Sequence, residues 1–167
     1  LRPNEGRFGG AAAVEEGTSN LIKNPLFDRG LSDWTARSGT IDEVPGQFMS
    51  NRALRWRGTS TGDASGVIAS EFNVEGGATY TLQVAVRNAK GFSAYQLGIR
   101  QYSSSGSQVS IYNPTFSRTD DSFRIITHTF AMHPDASQAR FEWVAYGDQL
   151  DDAPTFIIEA VQLEQKS

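Results

Sequence analysis

The alternation across residues 79–88 constrains this chain more than any other stretch. Tyr80, Leu82, Val84 and Val86 fill every second position, with Thr81, Gln83, Ala85 and Arg87 between them. A period of two suits a strand, whose successive side chains leave opposite faces, and does not suit a helix, whose faces repeat at about 3.6 residues. Such a segment needs a sheet with one face on a core. The same signature recurs along the sequence. Ala53 to Arg57 sets Leu54 and Trp56 against Arg55 and Arg57, and Tyr95 to Tyr102 turns Leu97 and Ile99 inward with Gln96, Arg100 and Tyr102 outward. Ala139 to Tyr146 opposes Phe141 and Trp143 to Arg140, Glu142 and Tyr146. Turn residues punctuate these runs: Glu75 to Ala78 marks a hairpin or corner, Ser103 to Ser107 precedes a returning strand at Gln108 to Tyr112, and Pro134 closes Phe123 to Met132. Asn113 to Asp121 reads as a polar loop containing Phe116. About eight or nine strands with no helix-period segment predict an all-β sandwich of two antiparallel sheets.

At 167 residues the chain has length for one domain with a sizeable core. Residues 1–19 differ from the rest, combining Gly, Pro, small residues and scattered charge, so they read as an arm or connector before a domain at 20–167. The chain starts at Leu1 without a Met, and a fragment of a longer polypeptide is expected. With no cysteine, stability must come from the core and from any bound metal. A formal net charge of -4 argues against a nucleic-acid partner, which demands a basic field. No apolar run is long enough to insert in a membrane.

Motifs for catalysis are missing. There is no phosphate-binding loop or His-Glu-x-x-His. His128 and His133 sit five apart across a strand end, which sends them to opposite faces and makes no metal pair. A glycosidase needs two carboxylates facing across a cleft. Of Glu142, Asp148, Asp151 and Asp152, three crowd into one loop, so a non-catalytic role is expected. The outward strand residues suggest binding instead. Arg55, Arg57, Arg87, Arg100, Tyr102, Glu142 and Tyr146, with Gln96, combine aromatic faces with planar hydrogen-bonding groups, the chemistry that stacks on sugar rings and reads hydroxyls. Several arginines on one face also favour an anionic glycan. By parity Trp56 belongs to the core, and Trp34 and Trp143 read as core too.

Asn20-Leu-Ile-Lys-Asn-Pro-Leu-Phe-Asp-Arg-Gly30, followed by Trp34, resembles the opening of the jelly-roll carbohydrate-binding modules of the four, nine, sixteen and twenty-two type. Their first strand runs Asn-Leu-x-x-Asn-x-x-Phe-Glu-x-Gly, and Asp28 stands at the usual Glu. Thr155 to Leu163 is similar to their last strand, with Glu159 at the usual Asp, and the spacing of Phe123, Phe130 and Pro134 also resembles the family. The resemblance implies a jelly roll whose ligand cleft lies on one sheet. It also implies a structural Ca²⁺ held by Asp28, Glu159 and the carbonyl of Gly30, since calcium takes several oxygen ligands and offsets paired carboxylates. Residues 4–18 resemble connectors in phage tail-associated proteins. That implies an extracellular or virion-associated setting and homo-oligomerisation through a parent assembly, while the module resemblance implies a polysaccharide or cell-surface glycan as partner. The alternative is a structural or assembly sandwich of a phage tail or surface protein with no sugar ligand, which calls for an apolar self-complementary patch.

Overall fold

The computed structural model describes residues 19–58, 65–117, 123–149 and 154–166. The arm expected at residues 1–19 lies outside them except for Ser19, as do parts of the loops after Ser117 and Gln149. The described residues contain no helix and form twelve strands. These are β1 (Trp34–Ser38), β2 (Thr40–Pro45), β3 (Arg52–Arg57), β4 (Gly66–Ala69), β5 (Phe72–Asn73), β6 (Thr79–Lys90), β7 (Phe92–Tyr102), β8 (Gln108–Tyr112), β9 (Thr115–Ser117), β10 (Phe123–Ala131), β11 (Gln138–Gln149) and β12 (Thr155–Gln165). A seven-stranded sheet runs β1-β4-β11-β7-β8, with β5 added to β11 and β9 to β7. The second sheet has five strands in the order β10-β6-β12-β3-β2. Glu75 to Ala78 is a corner: it carries the chain from β5 in one sheet to β6 in the other.

The alternating residues meet between the sheets. Tyr80, Leu82, Val84 and Val86 of β6, Leu97 and Ile99 of β7, and Phe141 and Trp143 of β11 join one core, together with Trp34 and Trp56. Phe156 of β12 is its hinge point. It stacks on Trp56 at 4.9 Å between ring centroids and meets Tyr95 and Trp143 of the opposite sheet, both at 5.8 Å. Such tilted and edge contacts add to the gain from burying large rings.

Two stretches depart from expectation. Phe116 lies on a strand, β9, which pairs with Ala94 to Gln96. Its ring lies parallel to Trp143 at 6.3 Å, so burial of one aromatic draws its polar neighbours into the sheet. Residues 20–33, where the family pattern calls for a first strand, form turns instead. Asn24, Phe27 and Asp33 have φ of 49°, 58° and 71°, and Gly30 has 67°, left-handed values that an extended strand does not contain. Asn24 organises the turns. Its Nδ2 donates to the carbonyls of Gly30 and Ser32, both at 2.9 Å, and its Oδ1 accepts the Arg29 amide at 3.2 Å.

Asn20 fixes this coil to the last strand. Its Nδ2 donates to the Val161 carbonyl at 2.9 Å, and its Oδ1 accepts the amides of Ile22 and Leu163, both at 3.0 Å. Asn20→Ala is expected to cost about 2 kcal/mol, the net worth of a few part-buried hydrogen bonds. A urea titration checks this, and an unchanged midpoint would remove Asn20 from the set of stabilising contacts.

Candidate functional site

The outer face of the seven-stranded sheet gathers most of the predicted binding residues. On β11, Ala139, Phe141, Trp143 and Ala145 enter the core, which turns Arg140, Glu142 and Tyr146 outward. Antiparallel register sets Arg140 beside Arg100, Glu142 beside Gly98, Val144 beside Gln96, Tyr146 beside Ala94 and Gln138 beside Tyr102 of β7. Arg100, Tyr102, Glu142, Tyr146 and Gln96 therefore share one surface. Arg37 reaches it from β1 and Gln108 from β8.

Glu142 anchors the face although it is only 1% exposed. Its Oε1 accepts Arg100 Nε at 2.6 Å and Arg140 Nη2 at 2.9 Å; its Oε2 accepts Arg100 Nη2 at 3.1 Å and Arg37 Nη1 at 3.2 Å. The Arg100 contact is a two-pronged fork, the strong form of a charged hydrogen bond. Burial alone pushes the Glu142 carboxyl up, but the guanidiniums of Arg100 and Arg140 outweigh it and hold the group below its ordinary range. Arg100 also donates to Gln108 Oε1, and the Arg140 guanidinium lies 5.8 Å from the centre of the Tyr102 ring. Burial raises the Tyr102 hydroxyl, against the pull of Arg140 and Arg100, so it carries its proton at neutral pH. Tyr146 is 41% exposed at the far end of the face. The arrangement offers fixed planar donors between two tyrosines. His128 is elsewhere, its Nδ1 at 2.8 Å from the Tyr112 hydroxyl.

Arg55, Arg57 and Arg87 do not join this face. The first two lie on β3 in the five-stranded sheet, where both bind Asp42 of β2. Arg87 has the outward parity expected of it but is buried, because the segment between β2 and β3 folds over it. Its Nε donates to Glu159 Oε1 at 2.6 Å and its Nη2 to the Pro45 carbonyl at 3.0 Å.

The residues expected to hold calcium do not fit that ion as they are placed. Glu159 sits at a register shift in β12, fully buried. Besides Arg87 it accepts the amides of Gln47 at 3.0 Å, Phe48 at 2.7 Å and Met49 at 3.0 Å, which fills the four acceptor positions of a carboxylate. Burial pushes Glu159 up, and the Met49 and Phe48 amides, Arg87 and the Gln47 amide together hold it below the ordinary range. The Gly30 carbonyl accepts from Asn24, and Asp28 is exposed. Among the described residues no group of three or more His, Cys, Asp or Glu side chains is placed to hold a metal.

Arg37 and Arg140 are the residues that sequence reasoning left out of the site. Arg140 shares the parity of Glu142, two positions on, which was a usable signal. Arg37 alternates with Trp34 and Ala36 on a five-residue strand that follows a run of turns, where periodicity is short.

No protein-family model matches the sequence, and no curated protein does. Solved structures do. The enzymatically active domain of bacteriophage CBA120 tailspike protein 4 superposes with a TM-score of 0.66 at 15% identity over 88% of this chain, which spans only 21% of that one. A family 16 carbohydrate-binding module gives 0.65 at 16% identity, covering 86% of this chain and 99% of that one. The CBM22-2 xylan-binding domain from Paenibacillus barcinonensis gives 0.64 at 15% identity, covering 85% and 98%. The two antiparallel sheets and these superpositions give the chain the jelly-roll β-sandwich fold of carbohydrate-binding modules of types four, sixteen and twenty-two.

Proposed function

We propose that the outer face of the seven-stranded sheet binds a poly- or oligosaccharide without acting on it. The observation that carries this reading is the convergence of Arg100, Tyr102, Glu142 and Tyr146 on one surface. Rings at its two ends stack on sugar faces, while forks of guanidinium nitrogens held by Glu142 donate to hydroxyls without first losing their freedom. From Gln138, beside Tyr102, to Tyr146 is eight residues of β11. At about 3.4 Å per residue the two tyrosines lie roughly 27 Å apart, a span that suits a chain of sugars better than one unit. Structural neighbours named as carbohydrate-binding modules support the same reading. Modest affinity at one such face is raised by multiple copies, which fits an extracellular or virion-associated parent.

A second reading has its own observation. Phe48, 57% exposed, stacks on Phe123 at 4.4 Å on the five-stranded side and offers an apolar patch for assembly. Polysaccharide pull-downs separate the two. Tyr146→Ala is expected to weaken glycan retention by about tenfold, near 1.4 kcal/mol, with an unchanged melting temperature because Tyr146 is exposed. Retention untouched by Tyr146→Ala and Tyr102→Ala, together with loss of self-association on Phe48→Ala, would move the function to the assembly reading.

A further inference from the structure

We infer that the glycan is acidic, a polysaccharide whose uronate carboxylates dock on the guanidiniums of Arg37, Arg100 and Arg140; this rests on the glycan reading above and names its ligand class. Three cations from three strands converge on one carboxylate, Glu142. Their contacts already fill its four acceptor positions. The cluster thus keeps two positive charges that Glu142 does not offset, in a chain whose total is -4. Among the described residues no ion pair gives any of the three a second carboxylate, and Glu71 is felt through its field at Tyr102.

What this cluster lacks is acceptors. Each guanidinium carries about five donors. Among the described residues, beyond Glu142 only Gln108 takes one of them, and Arg140 Nε is buried with no partner there. Like charges held this close repel, and an added carboxylate relieves the repulsion as it binds. The side chains remain reachable, at 38% exposed for Arg37, 27% for Arg140 and 21% for Arg100. The ligand carboxylate is planar and matches a guanidinium fork as the Glu142 carboxylate does. Elsewhere the imbalance is smaller: Arg55 and Arg57 share Asp42, and Arg87 is matched by Glu159.

The test compares polygalacturonate with the same polymer fully methyl-esterified, which keeps the backbone and removes the charge, and with neutral xylan. Expected is binding of polygalacturonate that falls by about tenfold or more on esterification, the effect of one charge-assisted contact or more, and that weakens with salt. Arg37→Gln and Arg140→Gln each reduce it by a similar factor and flatten the salt dependence, whereas Arg57→Gln on the other sheet leaves it unchanged. Should a variant fold poorly, competition on the unaltered chain by oligogalacturonate against oligogalactose reads the same preference. Equal binding of the esterified polymer or of xylan overturns the acidic ligand while glycan binding stands. Binding that survives both site substitutions but fails on Arg57→Gln overturns it as well, and retention of no polymer overturns both.

Discussion

Arg87→Ala is expected to remove about 3–5 kcal/mol of stability, the usual result of stripping one partner from a buried ion pair. Glu159 would keep its three backbone amides but lose the one cation paired with it among the described residues, in a fully buried position. The loss should lower the melting temperature by on the order of 10 °C for a chain of this size. Calcium and EDTA are expected to leave the melting temperature of the unaltered protein where it is, since Arg87 already supplies the positive charge. A melting temperature that drops in EDTA would show that Glu159 has a partner beyond these donors. The pH dependence has a definite sign. The folded carboxyl is held below its unfolded value, so its contribution is full above the ordinary carboxylate range and is lost as pH falls through the lowered folded value.

Glu142→Ala is the second large effect. It leaves the guanidiniums of Arg37, Arg100 and Arg140 facing one another with no carboxylate among them, at a cost of about 1.5–3 kcal/mol, less than at Arg87 because water reaches all three. Glycan retention should vanish with it, because the forks lose the group that orients them. Glu142→Gln keeps an acceptor for Arg100 and is expected to lose less stability. Urea unfolding of the two variants alongside retention assays checks both points. Equal stability of Glu142→Ala and the unaltered chain would mean that the arginines find other partners.

The contrast between these two carboxylates shows what the sequence made legible. Parity on a strand is local, so Trp56 in the core and the outward sides of Arg100, Tyr102, Glu142 and Tyr146 were readable from alternation alone, whereas the pairing of β7 with β11 that joins those four, and leaves out Arg55, Arg57 and Arg87, was not. Arg87 had the same parity as its neighbours Thr81 and Gln83, and its burial comes from residues 45–49 folding across it, a placement that no strand pattern encodes. Glu159 fell at the expected place in the chain, but which donors surround it depends on that same segment. The site itself spans β1, β11, β7 and β8, whose order in the sheet is set by long-range pairing. Arg37, more than a hundred positions before Glu142, therefore could not be placed with it in advance.

The bracket made by Asn20 has a mechanical meaning. It ties the beginning of the described chain to Val161 and Leu163, and Leu21 donates to the Leu163 carbonyl at 2.9 Å, only a few residues before the last described position on the same strand. A pull applied between residues 20 and 166 is shared between this short clasp and the pairing of the end of β12 with β6, where the Lys166 amide donates to the Thr79 carbonyl. The clasp belongs to β12 in the five-stranded sheet, so tension routed this way passes by β7 and β11. A ligand held on their outer face would stay bound while the tether frays.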